Sequence, residues 1–488
     1  MKRIFSELEP QSLWHFFDEI CAIPRPSKKE QKIVAYLSKF AEQHKLESEK
    51  DAVGNILIRK PATKGRENVR PVVLQSHVDM VCEKNSEVDH DFDTDSIQPH
   101  IENGWVKARG TTLGADDGIG IAAQLAILSD NTLEHGPIEC LFTVDEETGL
   151  TGAFGLSTDL LKGSILLNLD SEDEGELFIG CAGGIDTVAT LTYSRVPVSS
   201  DFAAFTLKVS GLKGGHSGDD INKGLGNAVK IINRLLWSGN KQFYLRISEL
   251  DGGNLRNAIA REAHATIVVP TRYKEEFVAF TEKMTESIKN EYRTTEPMLT
   301  IKAKPTDLPS HLIDNSTQEK LLNSLFACPH GVLGMSNEIQ NFVETSTNLA
   351  SVKITETQIV ITTSQRSSYE SAKQCAANMV ASVFSLAGAR IEHSNGYPGW
   401  TPNQQSEILK ITKKAYEKLF GCEPKVLAIH AGLECGVIGK RYPQMDMISF
   451  GPTIKGAHSP DERLEIASVQ KFWSLILEVL KNLPVNNK

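Results

Sequence analysis

Apolar positions recur along this chain in two textures, and the change between them falls near Gly184. In the first stretch, residues 11–22 read as a short helix that Ile23-Pro24-Arg25-Pro26 breaks. Ser27-Lys28-Lys29-Glu30 has capping-box spacing and opens a helix through about Leu46. Strand-like aliphatic runs at 55–59, 71–75, 138–144 and 165–169 then alternate with helical ones, among them 118–129. Continuous aliphatic strands separated by helices predict a largely parallel sheet covered on both faces.

Beyond Gly184, residues 205–209 and 243–247 alternate like half-exposed strands. An amphipathic helix at 226–237, a strand at 263–269, a helix at 273–292 and a strand at 298–303 follow. Residues 344–393 then give a second strand–strand–helix–strand series. Asn254-Leu255 with Glu262, and Asn348-Leu349 with Glu356, stand at one offset. That echo fits two related α+β halves, and it equally fits coincidence. Sheet-and-helix texture returns after Asn395: helix 407–419, strands near Val426 and Met445, helix 468–483. The expected architecture is an α/β domain with a mostly parallel central sheet, built from residues 1–184 and 396–488 and interrupted by an inserted α+β domain at 185–395.

A chain of 488 residues exceeds what one core usually supports, in keeping with two domains. Its balance of 52 basic against 62 acidic residues, with no basic block interleaved with aromatics, argues against a nucleic-acid partner. No apolar run reaches the roughly 18 residues of a membrane span, and Met1-Lys2-Arg3-Ile4-Phe5-Ser6-Glu7 lacks the apolar core of a secretory signal. The eight cysteines are scattered without a C-x-x-C pair, which favours reduced thiols in the cytoplasm. Any metal here must use imidazole and carboxylate.

Five phrases supply such groups: Ser76-His77-Val78-Asp79-Met80, Gly114-Ala115-Asp116-Asp117-Gly118, Asp145-Glu146-Glu147-Thr148-Gly149, Asn168-Leu169-Asp170 and Gly456-Ala457-His458-Ser459-Pro460. Acids and histidines just past strand ends lie where open α/β sheets bind ligands. Hydrolytic zinc takes nitrogen and oxygen donors and keeps a position open for water. Two metals roughly 3.5–4 Å apart need one bridging ligand, and Asp116, a short carboxylate in a glycine-flanked loop, suits that place. His77 and Asp170 can complete one ion, Glu147 and His458 the other. Glu146 sits beside a ligand without being needed as one, which suits a general base. Asp79 can accept from the ring N–H of His77 and fix its tautomer.

Asp117 reads instead as a helix N-terminal residue stabilised by the macrodipole. The acidic run Asp89-His90-Asp91-Phe92-Asp93-Thr94-Asp95 resembles a calcium loop, but Ser96 replaces the turn glycine and Pro99 interrupts it. Gly180-Cys181-Ala182-Gly183-Gly184 lacks phosphate-loop spacing and its lysine. His135, His264 and His393 have no acidic phrase around them and are read as structural.

In this order and with these gaps, the five phrases resemble the di-zinc aminopeptidase-like superfamily that includes aminoacylase, bacterial tripeptidase, succinyl-diaminopimelate desuccinylase and carnosinase. The resemblance spans essentially the whole chain. It implies metal ligation by His77, Asp116, Glu147, Asp170 and His458, with Asp79 and Glu146 as the catalytic pair. It also implies two divalent metal ions, Zn²⁺ first, with Co²⁺ and Mn²⁺ accepted by the same donors. The phrases around His77 and Asp116, with His430-Ala431-Gly432-Leu433-Glu434-Cys435-Gly436, look like the bacterial aminoacyl-histidine dipeptidase branch. That implies cleavage of dipeptides, Xaa-His among them.

The same resemblance makes the inserted domain a lid through which a homodimer forms. Its loop Gly214-Gly215-His216-Ser217-Gly218 would offer His216 to the oxyanion, often across the dimer. Asn257 and Arg366 match substrate-binding positions, with Ala260 standing where the usual motif has proline. A turn role for His216 and a surface ion pair for Arg366 are the plainer readings. Glu434 stands where relatives carry small or hydroxyl residues, and is read as meeting the free amino group of a dipeptide. The rival functions are an N-acyl amino acid hydrolase or tripeptidase on the same site, and a metal-stabilised binding protein that has lost catalysis.

Overall fold

The computed structural model describes residues 4–486. It divides into two compact units, one of Met1–Gly180, Trp400–Ala428 and Leu433–Lys488, the other of Cys181–Gly399 and Ile429–Gly432.

The first unit is α/β around an eight-stranded sheet. At its centre Ile138–Thr143, Val72–His77, Ile165–Asn168 and Asp446–Ser449 lie side by side, each parallel to its neighbour. Towards one edge Ile56–Lys60 and Glu47–Lys50 add antiparallel, and beyond Asp446–Ser449 so does Glu176–Cys181. The expected parallel character therefore belongs to the four central strands, and the sheet as a whole is mixed. Every residue of Val72–His77, Ile138–Thr143 and Ile165–Asn168 is buried, so both faces of these strands are covered. The helices Gln11–Cys21 and Ala115–Ser129 pack against each other, as do Glu407–Phe420 and Ile466–Lys481.

The capping box expected at Ser27 does not form. The helix runs Gln31–Gln43 and its N-cap residue Glu30 makes no side-chain cap bond. Lys28 is left-handed at φ 68°, and the Ser27 hydroxyl is taken by Asp79 Oδ2 at 2.8 Å. A distant carboxylate outcompetes the local amide.

The second unit is built on a nine-stranded sheet in which every pair of neighbouring strands is antiparallel. Phe202–Ser210, Ala228–Phe243, Arg246–Gly252, Ala263–Pro270, Lys274–Glu291 and Thr300–Thr306 follow one another as βαββαβ. Gly183–Thr192, Asn315–Ala327, Val343–Ile354, Gln358–Ser367, Glu370–Leu386 and Arg390–His393 repeat that order, the first strand being contributed early. The halves meet where Arg246–Gly252 pairs with Val343–Ile354, and the strand order reads alike outward from that seam. The Asn254 and Asn348 echo thus has a structural counterpart. Phe243, expected in a strand, instead closes its helix; Tyr244 turns left-handed at φ 54° and the strand begins at Arg246.

None of the eight cysteines is in a disulfide. Burial pushes the thiols of Cys21 and Cys328 up to about 12, which leaves them protonated and inert. No described helix is long and apolar enough to cross a membrane.

Candidate metal centre

Parallel pairing delivers the site residues to one edge of the central sheet. His77 lies opposite Thr143, and Gln75 opposite Asn168. Chain leaving those three strand ends carries Asp79, then Glu146 and Glu147 in the single turn Glu146–Gly149, and then Asp170. Asp116 precedes the regular part of Ala115–Ser129, and its peptide bond to Asp117 is cis. His458 is in the connection between the antiparallel strands Ile454–Lys455 and Arg463–Glu465, at φ 63°.

Asp116 stands between two histidines. Its Oδ1 is 3.0 Å from His77 Nε2, and its Oδ2 is 3.2 Å from His458 Nε2. Asp170 Oδ1 is 3.5 Å from His77 Nε2, and Glu147 Oε2 is 3.1 Å from His458 Nε2. His77–Asp116–Asp170 and Asp116–Glu147–His458 are therefore two groups that could each hold a metal ion, sharing one carboxylate. His77–Glu146–Glu147 is a third. Asp79 Oδ1 faces His77 Nδ1 at 3.4 Å. It also accepts from the Glu146 N–H at 3.0 Å, while Oδ2 accepts from the Glu147 N–H at 3.2 Å. Asp79 thus orients both the imidazole and the turn carrying the two glutamates, a second task that spacing alone did not reveal.

The charge balance tests whether cations fit. Among the described residues no lysine or arginine forms an ion pair with Asp116, Glu146, Glu147 or Asp170; the partners of Asp116, Glu147 and Asp170 are imidazoles. Two carboxylates about 4 Å apart repel by roughly 4 kcal/mol at an effective dielectric near 20. Protons carry part of the compensation. Asp116 and Glu147 raise His458 to about 11. Against burial, Asp170, Asp116 and Asp79 hold His77 well above the usual imidazole range. Burial pushes Asp170 up to about 8, with Asp116 adding to it. One oxygen of Glu147, Oε1, is buried with no hydrogen-bond partner. Buried acids with no lysine or arginine partner and an orphaned carboxylate oxygen fit divalent cations, and the imidazole and carboxylate donors suit them.

The fourth acidic group, Glu30–Asp79–Asp145, is different. Backbone amides of Lys28 and Asp145 donate to Glu30, and the hydroxyls of Thr148 and Thr151 donate to Asp145. Its negative charge is met by protein donors, so it shapes the turns around Asp79. Asp117 accepts from the Gly120 N–H at 3.1 Å, as a helix N-terminal residue does. The Asp89–Asp95 run forms none of these clusters.

Glu434 opens the helix Glu434–Arg441 and is fully buried. It accepts from Gln75 Nε2 at 2.6 Å and Thr143 Oγ1 at 2.7 Å, while its Oε1 has no partner. Burial pushes its carboxyl up to about 7.

His216, Asn257 and Arg366 all lie in the second unit. Arg366 is in the last residues of Gln358–Ser367 and is 6% exposed, which excludes the surface ion pair. It donates to Tyr397 Oη at 2.8 Å and to Ser217 Oγ at 3.3 Å, and stands 3.4 Å from His216 Nε2. His216 and Asn257 line a cavity of about 890 Å³. Asn348 Nδ2 holds the Asn257 loop through the carbonyls of Arg256 and Ala258, at 3.3 and 2.8 Å.

Sequence reasoning missed Arg25, Ser27, Gln75, Thr143 and Glu462. Gln75 and Asn168 carried a usable signal: each is a polar residue inside a fully buried aliphatic strand, two positions before a proposed ligand. Gln75 Oε1 accepts from Asn168 Nδ2 at 2.6 Å, forming a polar layer beneath the site. Arg25 and Glu462 gave no such signal, since their partners are backbone groups far away in sequence.

Fold and site together define a class: an α/β scaffold that carries paired histidine–carboxylate clusters sharing one aspartate at the ends of parallel strands. The chain belongs to Peptidase family M20/M25/M40, whose model matches residues 73–482. It is 45% identical over 479 residues to the cytosol non-specific dipeptidase of Escherichia coli (strain K12), across 98% of this chain and 99% of that one. The structure matches that of an aminoacylhistidine dipeptidase from Vibrio alginolyticus with a TM-score of 0.92 at 45% identity, covering 99% of each chain. A tripeptidase from Staphylococcus aureus shares the fold, at a TM-score of 0.56 and 17% identity, over 98% of this chain and 99% of its own.

Proposed function

We propose that this chain is a cytoplasmic metallo-dipeptidase that hydrolyses dipeptides, Xaa-His among them. The observation that carries this reading is Asp116 bridging the His77 and His458 clusters, in a chain alike end to end to two dipeptidases. His77 and Asp170 would hold one divalent cation, Glu147 and His458 the other, and Asp116 both; Zn²⁺ suits the donors best, with Co²⁺ and Mn²⁺ close behind. When bound, such a pair polarises a carbonyl and lowers the pKa of water towards about 7.

The protein's own part is proton movement and orientation. Burial raises the Glu146 carboxyl well above its usual range, and Asp170, Glu434 and Glu147 add to this against His77. A carboxylate of raised pKa can take a proton from the attacking water and hand it to the leaving nitrogen. Although burial opposes it, the bonds from His77, the Glu146 amide and Ser27 hold Asp79 down to about 2. Asp79 therefore stays anionic and keeps His77 oriented. His216 is assigned to the developing oxyanion, and Asn257 and Arg366 to the substrate, Arg366 gripping a carboxylate. The inserted unit acts as the lid and joins two copies into a homodimer. The unpartnered oxygen of Glu434 is assigned to the substrate's free amino group.

One panel tests these assignments: free dipeptides, N-acylated amino acids and tripeptides, assayed after chelator treatment and after adding back each metal. Hydrolysis should vanish on chelation, return with zinc, and favour free dipeptides. Preference for N-acyl substrates would move the chain to the aminoacylase reading, and no hydrolysis under any metal would favour a binding protein. Glu434→Gln should weaken free dipeptides far more than N-blocked ones; equal losses rule its role out.

A further inference from the structure

Two buried charged side chains that the reaction does not use tie the ligand-bearing loops together. Glu462 is 2% exposed. Its Oε2 accepts from the Leu113 and Gly114 amides at 2.7 and 2.9 Å, and its Oε1 from the Ala115 and Asp116 amides at 2.7 and 3.3 Å. Four consecutive N–H groups converging on one carboxylate make an anion nest of backbone. Gly114 permits it by adopting φ 67°, ψ 31°; a Cβ there would lie 2.6 Å from Arg25 Nη2 and 2.8 Å from the Met80 sulfur.

Arg25, also 2% exposed, donates from Nη1 to the carbonyls of Val78 at 3.1 Å and Asp79 at 2.7 Å, and from Nη2 to the Gly114 carbonyl. Glu462 shares its connection with His458, and that connection is closed on itself. Ser459 Oγ donates to the Gly456 carbonyl at 2.7 Å, and the Glu462 N–H to the Ser459 carbonyl at 3.0 Å. The strand that follows, Arg463–Glu465, pairs with Trp105–Ala108 just upstream of the Leu113–Asp116 amides.

We propose that Glu462 is a positioning residue of the metal centre. By gripping the backbone of Leu113 to Asp116 it sets the separation of His458 from Asp116, and Arg25 carries that constraint on to His77 and Asp79. The inference rests on the reading of His77, Asp116 and His458 as metal ligands. By fixing the backbone that carries the donors, this grip would lower the ordering cost that a cation meets on binding. Losing an outer partner of this kind typically weakens metal affinity on the order of 10–100-fold.

Glu462→Gln keeps the volume but points an NH₂ at amides that can only donate. The test uses the full-length chain, freed of metal by chelator dialysis and titrated with Co²⁺ against a chromogenic competitor, with visible spectra of the bound cobalt. The expected result is a folded variant with cobalt binding on the order of 10–100-fold weaker and an altered d–d spectrum. A residue that only stabilised the fold would lower the melting temperature and leave both readouts at wild-type values, and that result overturns the proposal. Should Glu462→Gln not fold, Arg25→Lys, which keeps the charge but loses the forked grip, is judged by the same two readouts. Failure of the wild-type chain itself to bind cobalt would instead remove the metal-centre reading.

Discussion

Glu146→Ala is expected to keep its full complement of divalent cations while kcat on a dipeptide falls by about 10²–10⁴-fold, the usual worth of a positioned general base. The His77–Asp116–Asp170 and Asp116–Glu147–His458 groups do not include it. Its backbone N–H is fixed by Asp79, so the side chain can be truncated without releasing the turn that carries Glu147. An interaction needed only in the transition state should lower kcat and kcat/KM alike and spare KM. The rival is concrete, because His77, Glu146 and Glu147 also stand close enough to share an ion. Metal content by mass spectrometry, measured on the same preparation as the kinetics, decides between them. Metal lost in proportion to activity would make Glu146 a ligand and leave the base unassigned.

Asp116→Ala should have the larger effect, because it takes one oxygen from each cluster. A ligand that binds only the folded state stabilises it by about 2.7 kcal/mol per site at one hundred times its Kd. Wild-type chain should therefore melt at a clearly higher temperature with zinc than without, and Asp116→Ala at nearly the same temperature in both. Against burial, His458 and His77 hold the Asp116 carboxyl well below its usual range, so the metal-free variant should itself lose some stability. His77 and His458 lose a partner, but the repulsion that Asp116 exerts on Asp170 and Asp117 is relieved as well. Thermal scans with and without zinc check this, and turnover should fall to background. A zinc-induced shift equal to wild type would mean that Asp116 does not bridge.

The part of the centre legible in sequence was the part built from side chains just past buried strands. His77 and Asp170 follow aliphatic runs whose ends the pattern located to within a residue or two, and parallel pairing then carries them to one edge. The supports were hidden for a physical reason. Arg25 and Glu462 bond to main-chain atoms, which every residue possesses, so no residue type at their far ends betrays the contact. Ser27 misled because a capping box and a hydroxyl aimed at a remote carboxylate have the same local spelling. Phe243 misled because two apolar residues at a helix end also fit the start of a strand. In the inserted unit the repeat was faintly audible in Asn254 and Asn348. The reordering that brings Gly183–Thr192 into the second half was not, since a strand's sheet neighbours are set by tertiary packing.

Two cations are expected to share Asp116. Anomalous difference maps from crystals of the zinc-loaded chain, collected on both sides of the zinc edge, test it most directly. Two peaks roughly 3.5–4 Å apart are expected on either side of the Asp116 carboxylate, one contacted by His77 and the other by His458. A single peak, or zinc bound away from Asp116 with the two imidazoles still on its oxygens, would contradict it.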